Sequence, residues 1–512
     1  MMNRKLLISG AMVALTMGVA ACGDITGLNK NPNDPEDVPA GPIFTYAARS
    51  TVGRWLGNGY NLRATEWVTQ HLAEVQYTDE DRYTRLGGAA TAGMFTNPYI
   101  NELEDLRKLI AKGEEAEQPG TYAPSKILQV FGFSYLTDTW GDVPYSDALK
   151  GDTVDATTSP VYDAQQDIYA GMFATLAAAN SELSGASNSL GNADPIYGGS
   201  PMGWQKFANS LRARLAMRVV NRDPALAGSE LSAALSAPGG VIETNADNAM
   251  LDWPGDGVYD NPWAVNFQTR DDHRMSKTLM DIMNASSDPR MPVYASPVQG
   301  TTDSYLGAPN GVTDAQSSAY MTTTSRLGLR FMPIQGSGIT YNGTGASQPA
   351  YIITAAEMLF IKAEAAERGM GGLNAGQAKG FYEAAIRASM EQWGVSSAEA
   401  SAFLANPEIA YKGGTEGLKQ IGVQKWVALF TDGGNAWAEW RRTCQPETVR
   451  PGPAAISNIV PRRFQYANTE YLVNEAQVDA AVARQGPDEF STNIWWDNPT
   501  AAPTYVSGCG AR

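Results

Sequence analysis

Between residues 351 and 393 the chain places apolar side chains at the 3.6-residue period of a helix, twice, around a glycine-rich turn. Thr354 is positioned to cap the first helix, over 355–368, and Gly369, Gly371 and Gly372 break it. The second helix, over 375–393, gathers Tyr382, Ile386, Ser389 and Trp393, with Phe381 and Ala385 beside them. Lys379, Glu383, Arg387 and Glu391 recur four apart on its other face, which predicts a solvated ion-pair strip. The first helix differs. Only Glu357, Glu364 and Arg368 make a polar stripe, and Met358, Leu359, Phe360 and Ile361 surround the rest. A helix apolar on so many sides is predicted to lie between layers.

The same period predicts helices over 65–76, 98–112, 159–183, 201–220 and 276–284. It predicts others over 397–404, 416–431, 435–441 and 470–483, and one opened by Pro124 at its first turn and closed before Gly141. No βαβ alternation appears, so a doubly wound sheet is not expected. The expected fold is mainly α: helix pairs of about tetratricopeptide length forming a spine, with long irregular loops and few short strands. Residues 244–349 are patterned weakly and rich in Gly, Pro, Asp and aromatics. Loops that order so many aromatic side chains usually do so for function.

The N-terminus changes the picture of where the protein sits. Arg4 and Lys5 precede an apolar run too short for a confident membrane span, ending in Val19, Ala20, Ala21 and Cys22. This resembles a bacterial lipobox, so residues 1–21 read as a removed signal peptide and Cys22 as the acylated first mature residue. Residues 22–41 read as a tether, and 42–512 as a single domain. Of three cysteines, Cys444 and Cys509 remain as a disulfide candidate in an exported chain, the alternative being two free thiols. The net charge of −16 argues against nucleic acid as a partner.

Catalytic signatures are sparse. The chain has two histidines, His71 on a predicted helix and His273 in a charged stretch read as solvated. There is no zinc-protease motif, nucleophile elbow or Walker loop. Two carboxylates suffice for a glycosidase, and no pair among 54 acidic residues stands out. Asp252 to Asp260 has oxygen ligands around glycine, which suits either Ca²⁺ or a plain Asp-Gly turn; no other cofactor or metal is expected. Sugar rings stack their C–H faces on flat aromatics, and Trp55, Trp253, Tyr259, Trp263, Trp495 and Trp496, all in stretches read as loops, are the candidate ligand contacts.

Several segments, in order, resemble the SusD/RagB-like family of outer-membrane nutrient-binding lipoproteins. They are Cys22 followed by 28–32 (LNKNP), 136–149 (LTDTWGDVPYSDAL), 204–218 (WQKFANSLRARLAMR), 357–369 (EMLFIKAEAAERG), 437–442 (WAEWRR) and 461–466 (PRRFQY). The resemblance implies an α-rich fold of tetratricopeptide-like pairs with an irregular ligand-binding face. It implies a lipid-anchored protein on the outer membrane, a TonB-dependent (SusC-like) β-barrel transporter as partner, and glycan ligands, with peptides for some relatives. Cys444 departs from the small residue expected there, and Asp24 lacks the dense acidic cluster of a surface-export signal. Read physically, Glu357, Glu364, Trp437, Glu439, Trp440, Arg441, Arg442, Arg462 and Arg463 are fold determinants, through Arg–carboxylate pairs and Arg–Trp stacking. The expected function is non-catalytic nutrient binding and delivery; the alternatives are a surface glycosidase, a peptide binder or a ligand-free scaffold.

Overall fold

The structure is a computed structural model that describes residues 38–152, 156–332 and 345–512. Cys22, the leader and the tether to residue 37 lie outside the described residues. The labelled helices are α1 (Ala40–Leu56), α2 (Ala92–Ile100), α3 (Glu102–Glu115), α4 (Pro119–Trp140), α5 (Gln165–Glu182), α6 (Pro201–Arg218), α7 (Pro224–Ser236), α8 (Pro262–Phe267), α9 (Lys277–Ser286), α10 (Ala355–Glu367), α11 (Ala375–Gln392), α12 (Ser397–Leu404), α13 (Gly414–Ala428), α14 (Gly433–Thr443), α15 (Asn468–Val473) and α16 (Glu475–Gln485). Short antiparallel pairs staple the loops: β1 (Leu72–Glu74) with β5 (His273–Met275), β2 (Val143–Pro144) with β3 (Tyr162–Asp163), and β4 (Ala249–Leu251) with β6 (Ala350–Ile353).

Successive helices pack as hairpins, α3 on α4, α4 on α5, α6 on α7 and α10 on α11, and α13 packs against both α10 and α11. This is the tetratricopeptide-like spine. The α10–α11 hairpin forms as its sequence dictates. Thr354 Oγ1 accepts the Glu357 N–H at 3.2 Å, and Asn374 caps α11. Gly369 and Gly371, at φ +67° and +64°, make the left-handed turn that other residues adopt only with strain. The Lys379–Glu383 pair on α11 is exposed.

Several elements differ from the periodic reading. The stretch over 65–76 is not an amphipathic helix. A π-helical turn (Asn58–Thr65) and one α-turn (Glu66–Val68) end at Gln70, whose φ of 62° stops the helix, and β1 follows. The predicted 98–112 helix is two, broken at Asn101 (φ −120°, ψ −101°). Pro119, not Pro124, takes the first turn of α4, and Pro124 is interior. The final helix is split at Asn474. α1, α7 and α8 lie outside the helices that the periodicity predicts, and the first two residues of α1 fall in the expected tether. The surroundings of His273 are not solvated: Asp272, His273 and Arg274 are all buried, and His273 Nδ1 lies 3.0 Å from Asp272. His71 is buried too, between Glu66 (2.9 Å) and the Trp426 carbonyl (3.0 Å).

Charged side chains, not only apolar ones, fill the centre. Glu364 of α10 accepts two hydrogen bonds of 2.6 Å from Arg442 of α14 and one of 2.8 Å from Arg368. Arg442 also reaches Glu439 at 2.6 Å, and Lys425 of α13 lies 3.0 Å from Glu439. Two turns earlier on α10, Glu357 takes Arg214 of α6 at 2.7 and 2.5 Å, and Asn435 at 3.0 Å. All these groups except Arg368 are nearly inaccessible. Arg442 and Arg368 hold Glu364 down to about 2 against the opposing effect of its burial.

Beside this lattice, the Arg441 guanidinium lies 3.7 Å from the Trp437 ring centre and 4.7 Å from Trp496. Arg462 pairs with Asp497 and lies over Trp440 at 5.2 Å; Arg463 pairs with Asp488 at 3.0 Å. Cys444 caps α14 in the left-handed region (φ 56°) and is joined to Cys509, with 5.8 Å between Cα atoms. The bond pins the tail across 65 residues.

At the end of β1 a different buried acid appears. Glu74 accepts no hydrogen bond from the described residues, and Arg270 stands 3.6 Å away. Burial first, then the charges of Glu80, Asp272 and Asp81, push its carboxyl up to about 11, so it is neutral at pH 7.

Two stability tests follow from these carboxyls. Glu364→Gln leaves Arg442 and Arg368 short of a buried counter-charge and is expected to cost about 3 kcal/mol in urea unfolding at pH 7. The Glu364 pKa is lowered on folding, so its contribution is present above about 4.5 and lost as pH falls toward 2; the wild-type advantage shrinks over that window. A difference that does not change with pH contradicts the pairing. Glu74 has the opposite sign. Its contribution is full below about 4.5 and lost as pH rises toward 11, so Glu74→Gln is expected to gain on wild type from pH 5 to pH 8, by about 1–3 kcal/mol at pH 8. A Gln variant less stable at pH 8 contradicts it.

Candidate functional site

The spine leaves the irregular segment 244–349 as its main non-helical surface, with residues 333–344 outside the described part. Strands β4 and β6 close its two ends against each other, and β5 ties its middle to β1. Between β4 and α8 the chain makes a tight turn. Asp256 Oδ1 accepts the N–H groups of Val258 (2.9 Å) and Tyr259 (2.8 Å), and Asp260 accepts that of Gly257 (2.8 Å). Those bonds hold the Asp256 carboxyl below its ordinary range. The acids of 252–260 therefore build an Asp-Gly turn. Among the described residues no group of three or more His, Cys, Asp or Glu is placed to hold a metal.

The turn presents Tyr259, 52 % exposed. The Arg49 guanidinium of α1 lies 5.3 Å from the Tyr259 ring centre and 6.0 Å from that of Trp253, and Arg49 also reaches the Asp252 carbonyl at 3.4 Å. Trp253, 8 % exposed, rests on α1 at Gly53, where a methyl group would stand 3.5 Å from the indole. A guanidinium beneath an aromatic face fixes the ring and leaves its outer face available.

Sequence reasoning missed a second such pair. Tyr77, 61 % exposed at φ 60°, has the Arg270 guanidinium 5.7 Å from its ring centre. Arg270 is itself paired with Asp272. The neighbouring Asp271 takes Arg326 at 2.7 and 2.5 Å, and Arg326 lines a pocket of about 240 Å³ with residues 296–301, Met321, Thr324 and Leu329. Tyr77 was hidden because residues 65–76 read as one helix. The only local signal is that Tyr77 follows a short apolar alternation into an acidic turn.

The other candidates divide sharply. Trp55 is not a loop residue: it lies on α1, fully buried, stacked on Tyr135 at 5.5 Å. Trp496 is fully buried beneath Arg441 and donates to Asp138 at 2.8 Å. Trp263 opens α8 as a buried pillar against Phe331 and Phe430, donating to the Leu56 carbonyl at 3.2 Å. Trp55 and Trp496 are packing residues because their faces are occupied by protein, whereas Trp263, though buried, lines a small cavity with Asn261, Phe331 and Gln348. Trp495 is half-buried on the wall of a cleft of about 430 Å³. The structure thus brings Trp253 and Tyr259 together and leaves Trp495 apart.

One acid pair has the electrostatic signature of acid–base chemistry. Glu74 is pushed up, while Asp272 is held well below its usual range by His273 and Arg270 against its burial. Both carboxyls are buried, with Arg270 against each of them.

Residues 32–467 match the sequence profile of the SusD-like family described as starch-binding associating with outer membrane. Among solved structures, a chitin-binding protein superposes with a TM-score of 0.77 at 27 % identity, covering 90 % of this chain and 100 % of its own. A chitin-binding SusD homologue from Flavobacterium johnsoniae gives 0.75 at 27 %, covering 91 % and 98 %. A SusD homologue from Bacteroides uniformis gives 0.76 at 25 %, covering 90 % and 100 %. No curated protein matches the chain. With a profile match spanning most of its length and the same helical fold in its structural relatives, the chain belongs to the SusD-like family.

Proposed function

We propose that the protein is a non-catalytic lipoprotein that captures an oligosaccharide on its irregular face and passes it to a TonB-dependent barrel. The observation that carries this reading is the pair of exposed tyrosines, Tyr259 and Tyr77, each with a guanidinium against it. Sugar rings offer flat C–H faces, and a tyrosine already fixed by a cation loses little freedom when one stacks on it. Chitin-binding relatives at 27 % identity support a glycan, with chitin oligomers as the first ligand to try. The lipobox at Cys22 supports the anchor, and no described helix is long and apolar enough to cross a membrane. Closure over a barrel would be driven by the difference in ligand affinity between open and closed states.

Calorimetric titration with chitohexaose tests the proposal. Tyr259→Ala and Tyr77→Ala are each expected to weaken binding roughly five- to tenfold. Melting temperatures should stay unchanged, and no new reducing ends should accumulate on long incubation. Turnover abolished by a single carboxylate substitution overturns the non-catalytic reading. Wild-type binding that both tyrosine variants retain in full overturns the assignment of the face.

A further inference from the structure

The cleft beside Trp495 is assembled from stretches distant in sequence. Asp142 follows α4, Gln165 and Gln166 open α5, Arg222 lies between α6 and α7, Arg484 belongs to α16, and the tail supplies residues 493–495, 497 and 498. At about 430 Å³ it is large enough for one or two sugar rings and falls in the range of small-ligand sites. Trp495 forms its aromatic wall, half-buried, with its ring centre 5.9 Å from that of the buried Tyr169.

The charges around this cavity are unevenly satisfied. Asp142 is used twice by the protein, by Arg484 at 2.6 Å and by the Gln165 N–H at 2.8 Å. Both oxygens of Asp497 are taken by Arg462. Arg484 is therefore neutralised by Asp142, and the lining acids are committed. Gln166, Arg222 and Asn493 are exposed, and their side chains make no hydrogen bond or ion pair among the described residues. One flat indole, two free amides and one uncompensated guanidinium thus converge on a single cavity. A neutral sugar would use the indole and the amides and offer the guanidinium only uncharged hydroxyl oxygens. A sugar bearing a carboxylate uses all four, because the planar guanidinium pairs two N–H groups with two carboxylate oxygens.

We infer that this cleft binds a carboxylated pyranose, a uronate-type residue, with its ring on Trp495 and its carboxylate on Arg222. The site shares no residue with the two tyrosine platforms and does not depend on the reading given to them. The chain's net charge of −16 does not forbid an anionic ligand, because charges more than about 8 Å away are largely screened at physiological salt.

The test uses the full mature protein and two probes, methyl β-D-glucuronide and its uncharged methyl ester, titrated by ligand-observed NMR. The acid is expected to bind and the ester to bind roughly tenfold more weakly, the loss of one charge-assisted contact. Arg222→Gln is expected to bring the acid down to the ester's affinity and leave the ester unchanged. Trp495→Ala removes binding of both, Trp495→Phe restores part of it, and Tyr259→Ala changes neither. Equal affinity for acid and ester, no binding of either, or acid binding indifferent to both Arg222→Gln and Trp495→Ala overturns the inference. Thermal melting of each variant separates lost binding from lost folding, and a cleft variant that unfolds is replaced by Asn493→Ala, for which weakened acid binding is expected and unchanged binding overturns the assignment.

Discussion

A buried carboxylate cannot stay ionised alone, and the spine is organised around that constraint. Glu364 sits on a helix that is enclosed on most sides. It remains charged because Arg442 grips both its oxygens and Arg368 holds one of them. Arg442 then needs Glu439, and Glu439 draws in Lys425. Two turns away, Glu357 repeats the arrangement with Arg214. The result fixes α6, α10, α13 and α14 in one register, since no helix can slide without uncovering a charge. Apolar packing between these helices would tolerate small shifts; the paired charges do not.

A spine fixed in this way lets the rest of the chain do without regular structure. The described residues of segment 244–349 form only short helices and strands, and side chains that bond the backbone shape its turns. Asp256 closes one turn, and Arg274 holds the Met321 carbonyl at 3.1 Å from Nε. Tyr259 of this segment is held by Arg49 on α1, and Arg270 of this segment in turn holds Tyr77, which follows β1. Rigid helices position the loops, and the loops position the flat faces that a sugar would meet.

What could be read from the sequence followed from how local its causes were. The Thr354 cap, the Gly369–Gly371 turn and the helix pairs are short-range effects, and the periodicity displayed them. The stripe Glu357–Glu364–Arg368 was visible as polar, but its burial was settled by Arg214 and Arg442, 143 and 78 residues distant. Composition carries no trace of that pairing; the ordered family-like motifs did. Gln70 is an ordinary residue in an unusual conformation, so nothing local announced that the helix would stop and expose Tyr77. Among the tryptophans, type alone could not separate Trp55 and Trp496, wedged into the core, from Trp495 on a cleft wall. Cys444 stands where a small residue was expected because its backbone is left-handed, a conformation that favours glycine.

Hydrogen–deuterium exchange with and without saturating chitohexaose tests the division between a fixed spine and a ligand-binding face most directly. Added protection should appear in the turn around Tyr259 and in the segments bearing Tyr77 and Arg270, while α10, α13 and α14 exchange at the same slow rates in both states. Protection gained within those spine helices, or on neither tyrosine segment while the sugar is bound, would contradict the account.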